Sequence, residues 1–279
     1  NMADWRPLMV RREDGFPRIM GVLNITPDSF YADSRLSSVE ETLGIATIMV
    51  ENGADWLDIG GESTRPGAKA INSDEEMKRI LPIIRAVRKK YPHIGISIDT
   101  RRAIVAEAAL DEGADMVNDV SALSDPKMVE LIKTRNCPIC IMHMKGLPEN
   151  MQRNPEYGDV VSEVKKVLTK KVKILIDAGV KSEQIIGDPG IGFGKLLEHN
   201  IALLSAGRKI IPLEKMGLMW GVSRKSMFSE LLGRKKPEER LAGTLGIAAM
   251  AKSRTVDIIR VHDVAEHRDL FRAMSTLED

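Results

Sequence analysis

A single (β/α)8 barrel is the fold this sequence predicts, on three observations. Eight short apolar runs ending in polar residues alternate with amphipathic stretches along the chain. Strand, helix, strand repeated in this way means parallel strands joined by right-handed crossovers, and eight of them close a barrel. A faint internal echo, Gly53-Ala-Asp-Trp-Leu-Asp-Ile, Gly113-Ala-Asp-Met-Val-Asn-Asp and Val256-Asp-Ile-Ile-Arg, leads from helix ends into strands, and glycine there ends a helix in a left-handed turn. The competing fold, an open doubly wound sheet, lacks its marks. No Gly-x-Gly-x-x-Gly follows the first run, and no linker rich in Pro, Gly or Ser divides the chain.

In chain order, residues 1–17 form an N-terminal extension, with Asn1 before Met2 read as a cloning remnant, and all of 1–279 is expected to be one domain. The first run, 18–24, ends on Asn24 and is followed by a helical stretch at 38–52. The second run, 55–60, carries Asp58 ahead of a helix at 73–91. Runs at 95–99 and 115–119 bring Asp99 and Asn118 near their ends, with helices at 101–112 and 125–134 after them. The fifth run, 138–143, ends on His143 and leads to a helix at 157–178. The sixth, 184–188, ends on Asp188 before a glycine-rich turn and a helix at 198–209. The seventh, 217–223, reaches Ser223 and Arg224 and enters one helical stretch over 225–254. The eighth, 257–262, carries Arg260 and His262, and a helix at 264–274 closes the chain.

Composition narrows the function classes. With 279 residues, 43% of them hydrophobic, but only three Trp, three Tyr and five Phe, the core is aliphatic, and a chain of this length buries about three quarters of its unfolded surface. Forty-one basic against forty acidic residues leave a net charge of +1, so no global field gathers nucleic acid or an acidic membrane. The first residues lack the order of a signal peptide and nowhere do 18 apolar residues run together, which predicts a soluble, cytoplasmic protein. The only cysteines, Cys137 and Cys140, have the spacing of a redox pair or half a zinc site. The segment reads instead as a strand, where positions three apart face opposite sides, and no second ligand pair exists.

In such a barrel the chemistry sits at the carboxyl ends of the strands. Here those ends are Asn24, Asp58, Asp99, Asn118, His143, Asp188, Ser223 with Arg224, and Arg260 with His262. Any one of them alone reads as a loop cap; eight of eight point to a common mouth. Counting by twos puts Arg260 and His262 on one face and Asp99 on the face of Ser97. Carboxylates beside Arg260, His262, Lys225 and Arg65 describe a pocket with both signs of charge, able to grip a nitrogen-rich heterocycle while cations hold an anion. Three glycine-bearing loops adjoin it: 58–67, built as a closing lid would be; 188–195, with one aromatic ring; and 221–228, whose amides near Ser226 either face an anion or simply start a helix.

Eight segments together resemble dihydropteroate synthases: Met20-Gly-Val-Leu-Asn-Ile-Thr-Pro-Asp-Ser-Phe30, Asp58-Ile-Gly-Gly-Glu-Ser-Thr-Arg-Pro-Gly67, Ser97-Ile-Asp-Thr100, Val117-Asn-Asp-Val120, Met142-His-Met-Lys-Gly146, Asp188-Pro-Gly-Ile-Gly-Phe-Gly-Lys195, Ser223-Arg-Lys-Ser226 and Ile259-Arg-Val-His-Asp263. They occur in the family's order over residues 18 to 275. The resemblance implies a homodimeric barrel that joins (7,8-dihydropterin-6-yl)methyl diphosphate to 4-aminobenzoate, giving 7,8-dihydropteroate and pyrophosphate. It implies pterin binding by Asp99, Asn118, Asp188 and Lys225. Asn24, Arg260 and His262 would take the diphosphate, with Mg2+ bridged to Asn24, and Thr64, Arg65, Pro66, Phe193 and Ser226 would shape the aminobenzoate pocket. The implied catalytic residues are Asp99, Arg260, His262 and Asp33.

The implied chemistry is ionisation at the pterin methylene followed by attack of the neutral aniline nitrogen, with no side-chain nucleophile, which suits a chain without a Ser-His-Asp or Cys-His set. Two departures stand out. The family continues its first motif as Ser-Asp-Gly-Gly, whereas Phe30 is followed by Tyr31-Ala-Asp-Ser34, so Asp33 falls one place late and the glycine pair is missing. Lys195 is followed by Leu-Leu rather than a polar continuation. Two alternatives stay open on sequence: a methyltetrahydrofolate:corrinoid methyltransferase, which needs no diphosphate grip, and a catalytically silent pterin-binding partner subunit.

Overall fold

The computed structural model describes residues 4–25, 35–64, 69–146, 151 and 155–277. Eight strands, β1 (Arg18–Asn24), β2 (Trp56–Gly60), β3 (Gly95–Asp99), β4 (Met116–Asp119), β5 (Ile139–Met142), β6 (Ile185–Asp188), β7 (Gly217–Trp220) and β8 (Ile258–Val261), form a closed barrel in sequence order. Every neighbouring pair is parallel, including β1 with β8. The helices are α1 (Arg35–Glu51), α2 (Ser73–Lys90), α3 (Ala103–Asp111), α4 (Met128–Arg135), α5 (Val160–Asp177), α6 (Leu197–Ala206), α7 (Met227–Leu232), α8 (Leu241–Ala248) and α9 (Val264–Ser275).

One expectation is corrected. The stretch 225–254 is not one helix but α7 and α8. Gly233, left-handed at φ 70°, ends α7, and a 3-10 turn beginning at Pro237 intervenes before α8. Glycine in that conformation stops a helix without a Cβ clash, and proline starts a turn where its missing N–H is not needed.

The sequence echo has a structural cause. Asp55, Asp115 and Asp257 each precede a strand and accept the backbone N–H of a neighbouring strand, from Ile19, Ile96 and Leu218, each at 2.9 Å. Each is also paired with arginine: Asp55 with Arg12 and Arg18, Asp115 with Arg88, Asp257 with Arg11 and Arg208. Gly53 and Gly113 turn the chain at positive φ two residues earlier, and Thr255 takes the same left-handed region in the third copy. The repeat therefore fastens the amino ends of the strands.

Two apolar layers result from the alternation of side chains along each strand. The outward layer joins sheet to helices. The inward one, Met20, Trp56, Met116, Cys140, Ile186, Met219 and Ile258, fills the lower lumen, and Met9 of the N-terminal extension joins it with Trp5 and Leu8 packed alongside. Trp56 Nε1 donates to Leu8 O at 2.8 Å, so the extension is the floor of the barrel. Cys140 lies on β5 in the inner layer, whereas Cys137 stands two residues before the strand and packs in the outer layer, both as free thiols, so the two are separated but not as opposite faces of one strand. Among the described residues, no helix is long and apolar enough to cross a membrane.

Candidate active site

Above that apolar floor the inward positions turn polar. Strand register puts Asp58 beside Ser97, Asp99 beside Asn118, and Asp188 beside Met142. Across the lumen Arg260 reaches Asp58 and Asp99: Nε donates to Asp58 Oδ2 at 2.6 Å and Nη2 to Asp99 Oδ2 at 3.3 Å. The same Asp58 oxygen accepts from Asn118 Nδ2 at 3.1 Å. Three strands thus meet at one buried oxygen, and Arg260 ties in a fourth through Asp99. On the far side Asp188 Oδ1 accepts from Gly190 N at 2.8 Å, while Lys225 Nζ donates to Ile191 O and lies 4.4 Å above the Phe193 ring.

Burial without full pairing shifts these groups. Burial, reinforced by the Asp58 charge and opposed by Arg260, pushes the Asp99 carboxyl up to about 8. Asp188 is also raised by burial, with Lys225 opposing. Burial brings Lys225 down to about 8 despite Asp188. Burial also works against charge on Arg260, but Asp58 and Asp99 outweigh it and hold the guanidinium above its usual value. Three carboxylates and two cations therefore offer donors and acceptors together in one recess, with a proton on Asp99 exchangeable near neutrality. Paired and perturbed titratable groups of this kind mark functional sites.

At the rim, Asn24 ends β1 level with Gly60. A Cβ added at Gly60 would stand 3.6 Å from Asn24 Oδ1 and 3.4 Å from Asp99 Oδ2, so the glycine keeps the gap between them open. His262 stands just past β8, bonded through its backbone N–H and Nδ1 to Ser223 Oγ. A separate cavity of about 740 Å³ lies at the opposite end of the barrel, lined by residues such as Trp5, Met9, Lys181, Arg208 and Asp257. None of the polar strand ends opens into it, and in this architecture the carboxyl ends, not the amino ends, carry chemistry.

A family described as pterin binding enzyme matches residues 20–262. A Synechocystis dihydropteroate synthase is 44% identical over 249 residues, 88% of this chain and 85% of that protein. The chain belongs to the dihydropteroate synthase family of pterin-binding enzymes. Solved synthases agree with it in fold. The Yersinia pestis synthase, crystallised with a sulfonamide drug complex, superposes with a TM-score of 0.87 at 35% identity, covering 96% of both chains. The Xanthomonas albilineans synthase with 4-aminobenzoic acid gives 0.86 at 37% identity, covering 94% of this chain and 93% of that one. The same synthase with 7,8-dihydropteroate gives 0.84 at 33% identity, covering 96% and 95%.

Of the family-type residues expected from sequence, Asp99, Asn118, Asp188, Lys225, Arg260, His262, Asn24 and Phe193 gather around the carboxyl end of the barrel. Thr64 stands at the start of the loop after β2, whereas Arg65, Pro66 and Asp33 lie outside the described residues. Ser226 is at the cap position of α7, exposed, and its side chain makes no cap hydrogen bond, so the ordinary-cap reading of this serine does not hold.

Three roles in this synthase fold were missed from sequence. Asp58 is the hub on which Arg260 and Asn118 converge. Lys195 is buried and donates from Nζ to Gly190 O at 2.8 Å, Phe193 O at 2.9 Å and His143 O at 3.3 Å, pinning the glycine-rich turn. Burial takes it down to about 7. His143 is buried rather than displayed at the mouth, held down to about 3 by burial and by the charges of Lys195 and Lys145. A lysine closing a glycine run was the one available signal, and it is ambiguous because such runs also bind ligands.

Proposed function

We propose that the chain condenses (7,8-dihydropterin-6-yl)methyl diphosphate with 4-aminobenzoate, forming 7,8-dihydropteroate and pyrophosphate, as a soluble cytoplasmic enzyme of folate biosynthesis. The observation that carries this reading is the Asp58–Arg260–Asp99 bridge with Asn118, Asp188 and Lys225 around it, in a chain whose solved relatives bind 4-aminobenzoic acid or 7,8-dihydropteroate. Asp99, Asn118, Asp188 and Lys225 would hold the pterin, whose edge alternates donors and acceptors as these side chains do. Asn24, Arg260 and His262 would hold the diphosphate, and Thr64, Arg65, Pro66, Phe193 and Ser226 the aminobenzoate.

The bond between the pterin methylene and the diphosphate oxygen breaks first. Arg260 and His262 stabilise the negative charge that leaves, which is worth a few kcal/mol per well-placed donor, on the order of a hundredfold or more in rate. Asp99 stabilises the cation left on the ring, and Asp33 is assigned to the same event. The aniline nitrogen then forms the new C–N bond and gives up a proton to the released pyrophosphate or to solvent. Lys225 over Phe193 fixes the wall against which the two rings meet.

Asn24 suits a magnesium ion: its amide oxygen is a hard donor standing exposed at the rim, and Mg2+ commonly takes one or two protein oxygens and completes its shell with phosphate oxygens and water. Bound there with the diphosphate, the ion would supply charge neutralisation to the leaving group.

Pyrophosphate release from the two substrates tests the activity and separates it from corrinoid methyl transfer and from a silent subunit. Arg260→Ala is expected to slow turnover about a hundredfold or more while leaving 4-aminobenzoate affinity, measured at saturating pyrophosphate, within a few-fold. Equal losses in both would remove the assignment. A sulfonamide should compete with 4-aminobenzoate. A homodimer completes the proposal.

A further inference from the structure

Ser223 follows β7 and is buried, with Oγ 3.0 Å from His262 N and 2.8 Å from His262 Nδ1. A hydroxyl owns one proton and two lone pairs, and a backbone N–H can only donate. His262 N–H therefore occupies one lone pair of Ser223 Oγ. The hydroxyl proton needs an acceptor, because a buried donor left unmade carries its full desolvation cost. Among the described residues, the other partner recorded for Ser223 Oγ is His262 Nδ1. If Nδ1 carried the ring proton, Oγ would accept twice and its own proton would have nowhere to go.

We infer that Ser223 is a positioning residue that makes His262 Nδ1 an acceptor and so holds the neutral imidazole in its Nε2–H form. Which ring nitrogen carries the proton is set by the bond the other one makes. In the opposite tautomer Nε2 would present a lone pair, which repels an anion. In this one it is a donor, which is what a departing diphosphate requires. Arg260, two residues earlier and on β8 itself, is committed to Asp58 and Asp99, so the serine and histidine supply a donor whose direction does not depend on that bridge. The inference rests on the proposed role of His262 at the diphosphate.

Two readouts on the full chain test it. In protein labelled with 15N-histidine, two-bond proton–nitrogen correlation above the imidazole titration range, with His262 identified among the five histidines by its loss in His262→Gln, should show Nε2–H. Ser223→Ala should give a mixture of tautomers and Ser223→Thr should restore one. Kinetically, Ser223→Ala should lower kcat on the order of tenfold, the usual scale for losing a group that orients another, with KM for 4-aminobenzoate unchanged, and Ser223→Thr should recover most of it. An Nδ1–H signal in the unsubstituted protein overturns the inference, whether or not pyrophosphate is made. Correct tautomers with an unmoved kcat overturn the catalytic half. Absence of pyrophosphate release before any substitution marks failure of the proposed function instead.

Discussion

Asp99 shares one guanidinium with Asp58 and, among the described residues, is paired with no second cation. Its carboxyl, ordinarily near 3.8, is pushed up to about 8 by burial and by the neighbouring carboxylate. Between those values the unfolded chain releases this proton and the folded chain keeps it, so the contribution to stability is full at low pH and is lost as pH rises towards 8. Asp99→Asn removes that slope. The substituted protein should therefore gain stability relative to the original from about pH 4 to about pH 8, by about 1–3 kcal/mol at the upper end, and the gap should level off beyond. Denaturant titrations of both proteins across that range check it, and parallel curves would contradict it. The slopes from His143, Lys195 and Lys225 are common to both and cancel. Asp99 was readable in the sequence because alternation alone puts it with Ser97 inside the barrel. Asp58 is equally inward, but its importance comes from the register of β2 against distant strands, which no pattern within one strand contains. Ser223 was visible as a strand end, but its bond to His262 was not, since that partner is 39 residues away.

The loop after β2 is gathered at its neck by a charged cluster. Glu62 accepts from Ile71 N at 3.2 Å, and Arg102, just after β3, bonds to Glu62 at 2.8 Å, to Glu76 at 2.5 Å and to Ile71 O at 2.5 Å. Glu76, inside α2, is fully buried; burial raises its carboxyl against the pull of its bonds to Thr100 and Arg102. Thr64 leaves directly from this neck, and Asp99 lies three residues before Arg102. Removing one member of a buried ion pair strands the others, at about 3–5 kcal/mol. Arg102→Met is thus expected to destabilise the chain by about that amount, and where it remains folded to raise KM for 4-aminobenzoate well beyond KM for the pterin. Unfolding midpoints and separate KM determinations decide this; equal changes in both KM values would detach the neck from the aminobenzoate pocket. The eight strands and the polar order of their ends were legible because period-two and helical patterns are local. The neck was not, because its members are up to 40 residues apart. The break between α7 and α8 was present in the text as Gly233 and Pro237, but the amphipathic stretches on either side were read through it. The extension gave no periodic signal, and its role as a floor appears only when Trp56 meets Leu8.

At the scale of the whole molecule, one face remains apolar. Ile201 on α6, Leu231 and Leu232 on α7 and Met250 beyond α8 are 42%, 42%, 49% and 45% exposed. Ile201, Leu231 and Met250 surround a hollow of about 110 Å³ reaching in to Leu204, Trp220 and Met227. Contiguous exposed apolar side chains of this kind mark association surfaces, and a second copy presenting the same patch gives the self-complementary contact that two-fold dimers use. This is where the proposed homodimer should close. Ile45 and Ile48 on α1 are also exposed, at 50% and 61%, but they lie outside this hollow, so they serve as the control. Analytical ultracentrifugation of the unsubstituted chain should give twice the monomer mass. Leu231→Glu together with Met250→Glu should give the monomer, since burying two carboxylates without partners costs more than such a contact returns. Ile48→Glu should leave the dimer intact. Because α7 follows directly on the turn carrying Lys225 and Ser226, the monomeric variant should also lose 4-aminobenzoate affinity by a few-fold, while pterin affinity, which rests mainly on Asp99, Asn118 and Asp188 of β3, β4 and β6, should fall less. A variant that becomes monomeric through Ile48→Glu instead would move the interface to α1 and uncouple it from the site.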